Sequence, residues 1–237
     1  MIDEQEKDMA LIRTNNFAGI PLFYDRFKPG AYGQEAVPVR PYIDPDFRVA
    51  CDACFSDIQN TFSGNGFHID QIWTGGVGRE GSGRSYHHTN RAFDLDCLIF
   101  SDKPMWVATS FPARPYLYLA IESLLRIHFG TVLNYDYNHA HEDHFHFDNG
   151  TSVGFKKHAR SHVIFLQHTL EKLFNKDVGA SGVDGVWGGD TEAALRQTLK
   201  ELRLGTLSDN LNWIKYLKTC ADLALDTEQS IVGVAGV

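Results

Sequence analysis

His144-Phe145-His146-Phe147-Asp148 alternates imidazole or carboxylate with phenyl rings, the period-two pattern of a strand with one face in an apolar core and the other in a polar setting. Alternation puts His144 and His146 on one face and Phe145 and Phe147 on the other, so a single strand offers two imidazoles to a cleft and two aromatic rings to a core. One H-x-H is unremarkable, because imidazoles are commonly of intermediate burial. Here it is not alone. Seven of the eleven histidines fall in two groups, His87 with His88, and His139, His141, His144 and His146 with His128 shortly before. Two such groups on adjacent strands, with acids among them, can supply a catalytic zinc site, which takes three His or carboxylate ligands and leaves a fourth position for water.

Working outward, the run Ala92 to Phe100 reads as a second strand with alternating acids at Asp94 and Asp96. A helix is expected from about Pro115 to Phe129, with Leu117, Ile121, Leu124 and His128 at helical spacing and Gly130 as its cap. Thr131 to Asn134 reads as a strand, joined to His144–Asp148 by the polar loop YDYNHAHED. Upstream, a helix is expected from Asp46 to Phe62, then a strand from Phe67 to Trp73 and the glycine-rich loop TGGVGREGSGR. That loop lacks the Lys-Ser/Thr ending of a phosphate-binding loop and opens no periodic helix. Residues 1–44, rich in Pro, Gly and aromatics, read as an extended segment packed on the core.

Four cysteines are too few and too scattered for a disulfide framework. Cys51 and Cys54 form a C-x-x-C, but they lie within the series Phe47, Cys51, Cys54, Phe55, Ile58 and Phe62, one face of an amphipathic helix. Helical periodicity assigns them to core packing rather than to redox or metal chemistry.

The first histidine group reads Ser85-Tyr86-His87-His88-Thr89-Asn90-Arg91-Ala92-Phe93-Asp94. It resembles the S-x-H-x-x-G-x-A-x-D motif of the zinc D-alanyl-D-alanine carboxypeptidase and L-alanyl-D-glutamate endopeptidase superfamily. Ser85, His87, Ala92 and Asp94 are in register. Asn90 stands where that motif has glycine, a mild departure because Asn tolerates left-handed backbone. The second motif, an H-x-H preceded by an acid, is matched by Asp143-His144-Phe145-His146. Phe129-Gly130-Thr131-Val132-Leu133 and His141-Glu142-Asp143-His144-Phe145-His146-Phe147-Asp148 are most similar to the bacterial extensin-like C-terminal branch. The resemblance spans about residues 45–150. It implies His87, Asp94 and His146 as ligands of one Zn2+, Asp143 as general base and His144 as the group that steadies the oxyanion. It also implies an arginine that grips the substrate carboxylate, for which Arg79 and Arg84 are the candidates. Arg84 then stands with Asp143 and His144 among the catalytic residues, and Arg79 with Ser85 among those binding substrate. Strand parity qualifies the base: Asp143 shares a face with His146 only if the strand begins at about His144, and an earlier start makes Glu142 the better base. The polarity of YNHAHED favours Asp143.

After Gly150 only helices are expected: one capped by Ser161, one from about Asp190, and one after Ser208. Leu166-Gln167, Val183-Asp184-Gly185-Val186-Trp187-Gly188 and Thr191-Glu192-Ala193-Ala194-Leu195 resemble the landmarks of the three-helix peptidoglycan-binding domain, with Val186 and Trp187 plugging the bundle.

The expected architecture is α+β: an N-terminal segment over 1–44, a zinc peptidase domain over 45–155 built on a small antiparallel sheet with flanking helices, and an all-α three-helix domain over 156–237. The expected function is hydrolysis of an amide bond in peptidoglycan stem peptides or cross-bridges. The alternative is a non-catalytic wall-binding protein with a structural zinc. Thirty acidic against 22 basic residues give a net charge of −8, which argues against nucleic acid as the partner. The partner expected is peptidoglycan, the chain a monomer without a membrane span. The opening MIDEQEKDMALIRTNN lacks the basic and apolar stretches of a signal peptide. A cytoplasmic protein, a phage lysin released at lysis, or an envelope or periplasmic protein whose leader has been removed all fit.

Overall fold

A computed structural model describes residues 10–26, 36–101, 103 and 106–234. Residues 1–9 and 27–35 of the N-terminal segment lie outside the described residues. The rest of that segment is extended and packs on the core. It forms five short strands, β1 (Ile12–Arg13), β2 (Asn16–Phe17), β3 (Ile20–Tyr24), β4 (Val37–Pro38) and β5 (Tyr42–Ile43). Phe17, Ile20, Leu22 and Ile43 are core residues.

Helix α1 (Pro45–Gly64) starts where Asp44 accepts a hydrogen bond from the Phe47 N–H at 2.8 Å and Pro45 occupies the first turn. Its buried face is Phe47, Cys51, Cys54, Phe55, Ile58 and Phe62, so both cysteines are core residues, each a free thiol. Burial pushes both thiols well up from their usual range, the opposite of a reactive pair. Strand β6 (Ile69–Gly76) follows, then β7 (Ala92–Phe100), β8 (Trp106–Val107), α2 (Pro115–His128), β9 (Thr131–Leu133) and β10 (Phe145–Asp148).

The main sheet runs β2-β3-β6-β7-β10-β9, with β4 beside β3 and β8 beside β7. The antiparallel sheet expected is in fact mixed, because β3 runs parallel to β6. The chain leaves β3 and returns at β6 by way of α1, and a helical crossover delivers the next strand parallel. On one face Phe93 of β7 and Phe147 of β10 stack at 5.3 Å, and Phe55 and Phe47 of α1 and Phe129 lie against Phe147. Each such ring buried from water contributes about 1.5–3 kcal/mol. The other face carries Asp94, Asp96, His146 and Asp148, which side-chain alternation turns away from these rings.

Gly130 does not cap α2. Phe129 ends the helix in extended conformation, and Gly130 is not among the residues of positive φ. It is glycine because the carbonyl oxygens of Thr151 and Ser152 occupy the space a Cβ would need. Gly130→Ala forces backbone against backbone and is expected to cost about 2–3 kcal/mol, read as a lower midpoint in denaturant unfolding.

Helices α3 (Arg160–Lys172), α4 (Gly189–Glu201) and α5 (Asn210–Val234) complete the chain. They do not stand apart from the sheet, as a separate all-α domain would. Leu166, Leu195, Trp213 and Leu217 belong to the same continuous apolar core as Phe55 and Phe147. Arg126 of α2, fully buried, donates to Glu122 at 2.7 Å, to the Ser161 carbonyl of α3 at 2.8 Å and to the Val132 carbonyl of β9 at 3.1 Å. Arg114 at the start of α2 pairs with Glu228 of α5 at 2.8 Å. Ser161 is therefore not a cap; Ala159 is, and Ser161 lies one residue inside the helix, buried.

The three C-terminal landmarks converge on buried Gln167. Its Oε1 accepts from the Gly185 N–H at 2.8 Å, and its Nε2 donates to Asp184 Oδ1 at 2.9 Å and Thr191 Oγ1 at 3.2 Å. Gly185, at φ 72°, sits in left-handed backbone that favours glycine. Val186 does not plug the bundle, being 61% exposed. Among the described residues no helix is long and apolar enough to cross a membrane.

Candidate metal centre

His87 is set by a single 3-10 turn, Tyr86–Thr89, which Ser85 caps through its hydroxyl and Asn90 closes at φ 57°, ψ 32°. Asn90 thus takes the left-handed conformation for which glycine is the usual choice. Asp94 lies on β7 and His146 directly opposite it on β10. All three side chains are buried and form one group able to hold a metal ion.

Their inward atoms form a triangle. His87 Nε2 is 3.1 Å from Asp94 Oδ1, His146 Nδ1 is 3.1 Å from Asp94 Oδ1, and the two nitrogens are 3.1 Å apart. A tetrahedral ion about 2.0–2.1 Å from its ligands keeps them about 3.3 Å from one another, so the spacing fits.

The outward nitrogens fix which atoms carry protons. His87 Nδ1 lies 2.8 Å from the Val77 carbonyl, which only accepts, so Nδ1 carries the proton and the neutral ring turns the lone pair of Nε2 inward. His146 Nε2 lies 3.2 Å from Asp148 Oδ2, leaving the Nδ1 lone pair inward in the neutral ring. Two imidazole lone pairs and a carboxylate oxygen thus converge, an arrangement that repels itself unless a cation or a proton sits among them. Burial alone would lower the affinity of His146 for a proton, but Asp148 and Asp94 override it and raise the pKa to about 9. Burial likewise disfavours an ionised Asp94, yet His146 and His87, where protonated on the nitrogens that face it, hold it well below the usual carboxylate range.

The sign follows from these shifts. With a folded pKa near 9 against an ordinary 6.5, the His146 proton stabilises the metal-free protein fully below about pH 6.5, and that stabilisation is lost as pH rises through about 9. Metal must displace this proton. Calorimetric titration with zinc in buffers of different ionisation enthalpy is expected to read fewer protons released per zinc above about pH 9, where His146 no longer contributes its own, than at pH 7.5. Asp148, further fixed by the Gly150 N–H at 2.8 Å, aims His146. Asp148→Asn is expected to weaken zinc about 10- to 100-fold without abolishing it, measured by competition with a chelator.

His144 and Asp143 stand beside the triangle. His144 Nδ1 is 2.6 Å from Asp143 Oδ1, and its Nε2 is 3.5 Å from Asp94 Oδ1. His144 is not part of the metal-holding group. Strand β10 begins at Phe145, so Asp143 is free of strand parity and reaches His144 Nδ1 and Arg26. Glu142 instead meets the exposed His139 at 2.9 Å. His144 first, then Arg26, hold the Asp143 carboxyl below its ordinary range, against the effect of burial.

Arg79 and Arg84 are both exposed on the glycine-rich loop. The guanidinium beside Asp143 belongs to Arg26, a residue for which local sequence gives no signal. Its Nη1 is 3.5 Å from Asp143 Oδ2, and its Nε and Nη2 grip Asp96 at 2.6 and 2.5 Å. Burial raises the Asp96 pKa to about 6 against the opposing pull of Arg26. Register shifts in the β6–β7 ladder leave Asp96 and Gly75 as extra residues, and bulges of this kind re-aim side chains next to functional sites. Gly75 lets the Arg26 guanidinium lie against the backbone, where any Cβ would collide with it. His141 closes the arrangement, its ring 5.1 Å from His144 and 6.0 Å from His146. Burial, then the neighbouring imidazoles, lower its pKa to about 4, so it is neutral at pH 7. Its signal was the histidine that opens His141-Glu142-Asp143-His144.

No curated protein and no solved structure matches this chain. Residues 75–158, which hold His87, Asp94, Asp143, His144, His146 and Asp148, match the family model of the extensin-like protein C-terminus.

Proposed function

We propose that the chain is a zinc-dependent peptidase that hydrolyses an amide bond in peptidoglycan stem peptides or cross-bridges. The observation that carries this reading is the buried triangle of His87, Asp94 and His146, whose lone pairs are forced together, with an ionisable carboxylate, Asp143, beside it and outside it. A zinc ion there supplies Lewis acidity for amide hydrolysis. Asp143 accepts the proton of the attacking water and returns it to the departing amine nitrogen as the C–N bond breaks. His144, oriented through Nδ1 by Asp143, directs Nε2 toward the triangle, where an N–H steadies the charge on the carbonyl oxygen. Arg26, anchored on Asp96, positions Asp143. Helices α3–α5 serve to hold wall polymer, a role supported by the landmarks gathered around Gln167.

Zinc-loaded protein is tested on purified peptidoglycan, with mass spectrometry of the soluble products. The expected products carry one added water at a single amide bond. Peptidoglycan left intact by fully loaded protein overturns the reading.

A further inference from the structure

A groove of about 700 Å³ lies among the C-terminal helices, between the segment before α3, helix α4 and the α4–α5 turn. Its floor is apolar: Phe155, Trp187, Leu199 and Leu204 are partly buried and rest on the core. Its rim is cationic. Lys157, Arg196 and Lys200 line it against one carboxylate, Glu192, although the chain as a whole carries a net charge of −8. Glu192 is already engaged, by Arg196 at 3.1 Å and by the Trp187 Nε1–H at 3.4 Å. Lys157 and Lys200 form no ion pair among the described residues, and both are exposed.

We propose that this groove binds a peptide segment bearing free carboxylates, the apolar floor taking the aliphatic body and Lys157 and Lys200 the charge. Charge complementarity selects this occupant. An aromatic and leucine floor alone would serve any apolar ligand, and a neutral glycan stacked on Trp187 would gain nothing from three cations. Concentrating unpaired cations around an apolar floor, on an otherwise acidic protein, selects an amphipathic anion. This rests on the proposed function in one respect: stem peptides of the wall are the source of that chemistry. The groove is lined by none of the residues of the metal centre.

The test uses the full chain, zinc-loaded and carrying Asp143→Asn so that ligand is not consumed. Three probes are titrated by calorimetry: a soluble disaccharide-pentapeptide with free carboxylates, the same molecule with its carboxylates amidated, and the disaccharide alone. The first is expected to bind at least about tenfold more tightly than the other two, an advantage that shrinks in high salt. Lys157→Glu with Lys200→Glu, both on the surface, is expected to abolish that preference. In the otherwise native chain the same pair of changes should leave cleavage of a short soluble stem peptide intact. Equal binding of all three probes, or a preference that survives the double substitution, overturns the proposal and leaves the metal centre untouched. Failure of the zinc-loaded native chain to cleave, with carboxylate-selective binding retained, removes the peptidase reading and leaves the groove.

Discussion

Asp143→Asn is expected to retain its metal and to hydrolyse at least about a hundredfold more slowly, the usual contribution of a positioned general base. The substitution keeps size and shape, and Asp143 is not one of the three metal-holding residues. What it removes is an acceptor for the water's proton and the charge that faces His144 at 2.6 Å and Arg26 at 3.5 Å. Glu142→Gln is the control. Glu142 is paired to the exposed His139, so its loss should change turnover by less than about threefold, as for most exposed ion pairs. Steady-state hydrolysis of a soluble stem peptide, alongside metal analysis of each variant, separates the outcomes. An inactive Glu142→Gln with an active Asp143→Asn assigns the base to Glu142.

His146→Ala and Asp94→Ala are expected to have the larger effect on metal. Structural zinc sites are worth about 10–16 kcal/mol over four ligands, so one ligand of three accounts for about 3 kcal/mol, a hundredfold or more in affinity. Purified variants should therefore contain little zinc at concentrations that saturate the native protein, and hydrolysis should fall with it. Asp94→Ala carries a second cost. The carboxylate is the one negative charge in the triangle, and without it His87 and His146 face each other at 3.1 Å with only a proton to reconcile them. Its thermal midpoint should accordingly fall as well.

Much of this centre was legible in the sequence, for reasons tied to particular residues. Strand β7 occupies Ala92–Phe100, where Asp94 and Asp96 alternate with apolar residues from Phe93 to Cys97 and an apolar run continues to Phe100. The alternation of His146 with Phe145 and Phe147 fixed which face of β10 bears imidazole, and Asn90 revealed the left-handed turn that delivers His87. What stayed hidden depends on long-range pairing. Arg26 reaches the centre only because β3 joins β6 in parallel, a crossover that residues 20–26 do not announce. The bulges at Gly75 and Asp96 belong to a ladder and not to either strand alone. Joining of the C-terminal helices to the sheet was written in α2, where every residue from Leu117 to Arg126 is buried. A helix buried all round needs neighbours on every side, and α3 and α5 supply the side that the sheet and α1 do not. Counting only the stripe of Leu117, Ile121 and Leu124 understated this.

The central claim is an open metal centre of three protein ligands. X-ray absorption at the zinc edge of the loaded protein tests it most directly. The expected result is one zinc per chain, bound by two imidazole nitrogens, with oxygen in the remaining positions at about 2.0–2.1 Å. A third imidazole bound to the zinc would mean that His144 or His141 closes the site, and would contradict the claim.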